Sequence, residues 1–368
     1  MINLAKPVLT DEDKQAVIKV MNSNWHSLGP KKKEFEQNFA KFCGTKYSLA
    51  VNSGTSALHL CMLASGIKEG DEIITSPFSF IASANCALMC GARPVFVDVD
   101  PKTFNLDPKK IEQAITSRTK AILPVHIFGQ SCDMDPIIQI AKKHNLMIIE
   151  DACESIGAEY NGKKVGTFGK AGTFAFYPNK QLNTGEGGMI VTDDKEFYEL
   201  CDSLHNQGRS DSGQWLTHKY LGYNYRISEF NCALGNSQLK RIQQIINKRR
   251  DVANKYNLAL ANIRNINLPS VADYTTHTWF VYVIQLDKKF NRNEIITELN
   301  KLGVQTKPYL PAIHLQELYI NKFNYKDGDF PICEDISNRS LALPFYESLS
   351  DEEINTVVTK LNEVLNNA

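Results

Sequence analysis

Three short stretches carry the residue types that chemistry on a bound ligand requires. The first is Asn52-Ser53-Gly54-Thr55-Ser56-Ala57-Leu58, a glycine among small hydroxyl residues where a β-rich run gives way to a helical one. The opening amides of a helix have no partner within it, so a phosphate can take that place. A hydroxyl N-cap on a tight turn explains the same residues, and alone the stretch reads that way. The second is Ile148-Ile149-Glu150-Asp151-Ala152-Cys153-Glu154, an apolar run ending on carboxylates. Such a carboxylate serves as a metal ligand, a general base or the partner of a cationic ring nitrogen, or it simply caps a helix. The third runs from Phe174-Ala175-Phe176-Tyr177-Pro178-Asn179-Lys180 to Gly185-Glu186-Gly187-Gly188. Most lysines are solvated surface residues. A nucleophilic amine must be partly desolvated to lose its proton at neutral pH, and aromatic and glycine neighbours suit that need.

The elements that position these stretches follow from the pattern around them. Thr10 caps a helix over residues 11–21, and Pro30 opens another whose Phe35, Phe39 and Phe42 form an apolar stripe that Gly44 ends. Between residues 47 and 191, short β-rich runs (47–51, 72–76, 94–97, 121–125, 147–150, 173–176 and 189–191) alternate with helical patterns at 55–65, 81–89, 108–115 and 135–143. Alternation of this kind predicts an α/β fold, a mostly parallel seven-stranded sheet sandwiched by helices. Ligands in such sheets gather beyond the carboxyl ends of the strands, where all three stretches fall. After Glu229 one long helical pattern runs to about Tyr256 as a connector. A strand over 279–286 and helices over 292–302 and 351–365 then predict a smaller α+β domain. The expected division is 1–250 for the large domain and 251–368 for the small one.

A phosphate cradle, an acidic partner and a desolvated lysine along one sheet edge are the parts that hold pyridoxal phosphate. At this point nearly the whole chain resembles the DegT-type sugar aminotransferases, a branch of the aspartate-aminotransferase fold (fold type I). The resemblance is carried by residues 51–58, Gly70-Asp71-Glu72-Ile73-Ile74, Pro94-Val95-Phe96-Val97-Asp98-Val99-Asp100, Glu150-Asp151-Ala152, Lys180 with Gly185-Glu186-Gly187-Gly188, and Gly222-Tyr223-Asn224-Tyr225-Arg226.

The resemblance implies that Lys180 carries the cofactor and, once released, shuttles a proton. It implies that Asp151 pairs with the pyridine nitrogen, Gly54 and Thr55 bind the phosphate, Phe80 stacks on the ring, and Glu154 lies near the phenolic oxygen. Phe80 has core packing as its ordinary alternative. Asn224 matches a residue that reaches the phosphate in the neighbouring subunit, which implies a homodimer with shared active sites. Tyr309 and His314, in Lys307-Pro308-Tyr309-Leu310-Pro311-Ala312-Ile313-His314, match the stretch lining the sugar-nucleotide cleft; a structural histidine explains His314 as well. Arg209, Arg226 and Trp25 are weaker substrate contacts. Ala175 departs from the pattern, since the family usually has a phosphate-binding serine there. Lys180 itself argues against the relatives that carry histidine and act as dehydratases.

The implied reaction moves an amino group from glutamate to the ketone of a nucleotide-linked sugar, with a 4-keto-6-deoxy sugar favoured by Asn179-Lys180 and Glu186, for surface polysaccharide. A cyclitol aminotransferase, a sugar dehydratase and a non-catalytic ligand-sensing regulator are the alternatives. Bulk properties agree. In 368 residues, Lys+Arg and Asp+Glu both count 41, so no net field favours nucleic acid or an anionic membrane. The start has no signal-peptide pattern and no apolar run reaches membrane-span length. Nine scattered cysteines without a C-x-x-C pair predict free thiols, no metal site and a cytoplasmic protein.

Overall fold

The computed structural model describes residues 1–210 and 215–368. Its centre is a sheet of β1 (Tyr47–Val51), β2 (Glu72–Thr75), β3 (Arg93–Phe96), β4 (Thr119–Leu123), β5 (Met147–Asp151), β6 (Ala171–Ala175) and β7 (Gly188–Thr192). The spatial order is β1-β7-β6-β5-β4-β2-β3. The β2/β3, β2/β4, β4/β5 and β5/β6 pairs are parallel, whereas β7 runs antiparallel to both β6 and β1. Most strand positions are buried because helices cover both faces, which is why the strands read as continuous apolar runs.

Register brings the three chemical stretches together. Val51 at the end of β1 and Ala175 at the end of β6 both oppose Gly188, the first residue of β7, while Asp151 at the end of β5 opposes Thr173. The loops leaving β1, β5 and β6 therefore emerge along one edge.

Local chemistry fixes the flanking helices. Thr10 and Asp13 form a reciprocal cap, with Asp13 N to Thr10 Oγ1 at 3.3 Å and Thr10 N to Asp13 Oδ2 at 2.9 Å. The helix Pro30–Cys43 has no cap of its own side chains. Instead Glu229 accepts from the amides of Gly29, Lys31 and Lys32 at 3.0, 2.6 and 2.9 Å. Its Phe35 and Phe39 pack on Phe176 and Phe174 with ring centres 5.3 and 5.1 Å apart, and Gly44 ends it at φ 80°.

The expected single helix after Glu229 is two, Glu229–Leu239 and Ile242–Leu260. Arg241 leaves helical geometry at the junction, and its guanidinium reaches Asp13 Oδ2 at 2.7 Å and Val8 O at 3.1 Å. The second helix is shared between two cores. Ile242, Ile245 and Ile246 pack with Phe39 under the large sheet, and Val252, Ala253, Tyr256 and Leu260 join the C-terminal core. That core covers an antiparallel sheet of Ile266–Asn267, Tyr282–Leu286, Ser340–Leu343 and Lys307–Pro308, in that order. Among the described residues no helix is long and apolar enough to cross a membrane.

Candidate active site

A cavity of about 520 Å³ opens at the carboxyl edge of the sheet, lined by Gly54, Thr55, Phe80, Asp151, Glu154 and Lys180 among others. That volume suits a small ligand or cofactor. Sequence stretches separated by more than a hundred positions thus share one concavity.

Asp151 lines it. The side chain is buried, and both oxygens are aimed by neighbours: Oδ2 accepts from Ser83 Oγ at 2.7 Å and Oδ1 from the Cys153 amide at 3.1 Å. Ser83 in turn pairs with Ser79 at 2.7 Å. Neither serine stood out in the sequence. Ser79 lies before the helix Ala82–Met89 that carries Ser83, so only the folded chain turn brings the two hydroxyls together.

Lys180 follows β6 in a turn closed by its own amide on Tyr177 O at 2.9 Å. Its side chain is 12% exposed, and Nζ lies 3.5 Å from Glu154 Oε1. The ring centre of Phe280 is 3.7 Å from the same nitrogen. Glu154 Oε2 accepts the Phe128 amide at 3.0 Å, an amide aimed by a left-handed backbone at Phe128, φ 58°. Burial pushes the Glu154 carboxyl up, and the Lys180 charge draws it partly back. The amine is therefore enclosed by an acid on one side and an aromatic face on the other. Phe280 is a lining residue that the sequence did not disclose, because nothing local links it to a lysine so distant in the chain.

The helix Gly54–Ala64 begins at the cavity wall, with Ser53 Oγ accepting the Ser56 amide at 3.0 Å. A side chain at Gly54 has no room: a Cβ would lie 2.7 Å from the Ala175 Cβ and 3.0 Å from Cys153 Sγ. This glycine lets a helix start, with its unpaired amides, press against the end of β6.

Other expected residues fall in different places. Phe80 is 61% exposed at the cavity, so it is not core packing. Tyr309 lines the cavity, its hydroxyl 3.4 Å from Asn179 Nδ2, and burial pushes its phenol up. His314 is not brought to the cavity. It is fully buried, with Nε2 2.9 Å from Glu334 Oε1 and its ring against Phe330. Asn224 is exposed, bridged to Asn206, and absent from the cavity wall of its own chain. Arg226 donates to Asn206 Oδ1 at 3.0 Å, Arg209 bridges to His218, and Trp25 is exposed away from the lining. Ala175 does line the cavity, with a methyl group where a serine was expected from the resemblance.

Comparison with known proteins gives the geometry a setting. Residues 7–362 match the family model described as the DegT/DnrJ/EryC1/StrS aminotransferase family. The chain is 40% identical over 368 residues to the GDP-perosamine synthase of Caulobacter vibrioides, covering 99% of this chain and 98% of that protein. It is 39% identical over 355 residues to the dTDP-3-amino-3,6-dideoxy-alpha-D-galactopyranose transaminase of Aneurinibacillus thermoaerophilus, covering 95% and 94%. Among solved structures, Helicobacter pylori PseC, an aminotransferase involved in the biosynthesis of pseudoaminic acid, superposes with a TM-score of 0.94. That match has 31% identity and covers all of both chains.

Proposed function

This chain belongs to the DegT/DnrJ/EryC1/StrS aminotransferase family and depends on pyridoxal phosphate, and from that premise we propose that it aminates a nucleotide-linked 4-keto-6-deoxy sugar with glutamate as donor, for surface polysaccharide. The observation that carries the reading is the enclosed Lys180 amine sharing one cavity with the buried, doubly aimed Asp151 carboxylate. The names of the similar proteins support a nucleotide-linked sugar as acceptor.

The residues present fit the cofactor. Asp151, held by Ser83 and the Cys153 amide, would face a cationic ring nitrogen and keep it protonated. The start of the helix Gly54–Ala64, with Thr55, supplies donors for a phosphate. Phe80 offers an aromatic face at the cavity, and Glu154 stands beside the amine. Bound pyridoxal phosphate supplies an electron sink for the charge that builds when a proton leaves the amino-bearing carbon. Lys180 holds the cofactor and, when free, takes that proton on Nζ and returns it; Glu154 and Phe280 steady the ammonium form between the two transfers. With Ala175 offering no hydroxyl, phosphate binding rests on Thr55, main-chain amides and Asn224 of a second copy.

A homodimer is part of this reading. Trp215 and Leu221 are 90% and 88% exposed in the segment leading to Asn224, an apolar surface suited to a second copy. We place the reaction in the cytoplasm on the strength of nine free cysteines.

The test is direct. Purified protein loaded with pyridoxal phosphate is given L-glutamate and GDP-, UDP- or dTDP-linked 4-keto-6-deoxy sugars. Release of 2-oxoglutarate and the mass of an amino sugar are expected from the parent, and neither from Lys180→Ala. Failure to make product from every one of these acceptors sinks the substrate assignment. Turnover by Lys180→Ala sinks the mechanism.

A further inference from the structure

Arg249 sits midway along the helix Ile242–Leu260, between the part that packs on the large sheet and the part in the C-terminal core. It is buried, and among the described residues no carboxylate lies within ion-pair distance of it. Glu347, the anion in its field, is engaged by Arg241 at 3.5 Å and Lys248 at 3.9 Å. Burial pushes Arg249 down to about 10, which leaves it cationic at neutral pH. A charge stripped of water without a counter-ion is costly, so something must replace the solvent. Carbonyl dipoles do so. Nη1 donates to Trp279 O at 3.3 Å and Phe280 O at 3.1 Å, and Nη2 to Asn179 O and Lys180 O, each at 3.4 Å. The two segments it joins are the ones that carry Lys180 and the ring 3.7 Å from its amine.

We propose that Arg249 is a positioning residue for amino transfer: by tying the main-chain carbonyls of Lys180 and Phe280 to one rigid fork, it holds the Phe280 ring against the Lys180 amine. The inference rests on the reading of Lys180 as the reacting amine. A guanidinium presents its donors in fixed, planar directions, so it sets the spacing of two segments as a point-charge ammonium cannot. The aromatic face it holds limits where that amine swings. Phe280 main-chain N also donates to Phe128 O at 2.8 Å, and the Phe128 amide holds Glu154. Displacing Phe280 thus disturbs both walls around Nζ.

Three variants of the full chain test this. They are Arg249→Met, Arg249→Lys, and Phe280→Leu, which keeps the carbonyl that Arg249 grips. The readouts are the thermal midpoint, kcat and KM for the amino donor, and the rate at which cofactor-free protein captures pyridoxal phosphate, followed by absorbance. Arg249→Met should lower kcat and the capture rate about 10- to 100-fold with KM within about twofold. Arg249→Lys should recover the thermal midpoint more than the rates. Phe280→Leu should reproduce the loss of both rates with a midpoint near the parent's. Parental rates in Phe280→Leu overturn the proposal, as does an Arg249→Met that melts early yet captures cofactor and turns over normally. If Arg249→Met does not fold, the other two variants decide. Lys180→Ala separates this from the reading beneath it. Activity surviving there sinks both, whereas activity lost there but parental in Phe280→Leu sinks only the role given to Arg249.

Discussion

Replacing Glu150 by glutamine changes one atom and should cost the protein much of its stability. Glu150 precedes Asp151 on β5, so its side chain leaves the opposite face of the strand. Both oxygens are buried, and four donors converge on them. Oε1 accepts from the amides of Phe168 and Gly169 at 2.6 and 2.8 Å, and Oε2 from Gly166 N at 2.6 Å and His126 Nε2 at 3.1 Å. His126 Nδ1 accepts the Cys132 amide at 3.1 Å, so the ring carries its proton on Nε2 and donates to Glu150. A glutamine keeps one acceptor oxygen. Whichever way its amide turns, two donors lose their partner and face an NH2 group instead. At about 1.5–3 kcal/mol for each hydrogen bond to a charged group, the loss is about 3–6 kcal/mol. Folded proteins hold only about 5–15 kcal/mol in all. Urea unfolding of cofactor-free Glu150→Gln and parent, followed by circular dichroism, measures the difference without ligand masking it. A loss below about 1 kcal/mol at an unchanged slope would refute the accounting.

Three further outcomes are expected. Gly172→Ala places a Cβ 2.2 Å from Gly166 O, a backbone atom that cannot swing aside, so the variant should lose about 3 kcal/mol or more and recover poorly in soluble form; near-parental thermal stability contradicts this. Glu229→Ala removes the acceptor for three amides at the start of the helix Pro30–Cys43 and should cost about 2–4 kcal/mol, read as a lowered urea midpoint. Burial pushes His277 down to about 3, and its Nδ1 accepts the Trp279 amide at 2.9 Å. Below the usual imidazole value of 6.5 the unfolded chain binds a proton that the native ring refuses, so stability falls as pH drops from 6.5 toward 3. His277→Gln should therefore lose about 1 kcal/mol less than the parent between pH 7.5 and 5.5; equal losses would show that this ring is not responsible.

The amino-acid sequence by itself determined the central sheet and marked Lys180 and Asp151 as candidates. Continuous apolar runs with glycine and hydroxyl punctuation located all seven strands within a few residues, because period and end signals are properties of neighbouring residues. The same locality exposed Lys180 among glycines and Asp151 after an apolar strand. Local pattern was silent wherever a distant group decided the outcome. The helical period continued through Lys240 and Arg241, yet the chain breaks there, where the Arg241 guanidinium meets Asp13 from a distant helix. His314 sat in a promising stretch, but folding paired it with Glu334 away from the cavity. The strand order with its reversed β7, the Ser83 contact to Asp151, and Phe280 and Arg249 around the lysine exist only once segments far apart in sequence are packed together. Side-chain type and spacing record which chemistry is available. Which groups face each other is set by chain closure over long separations, and no local window contains it.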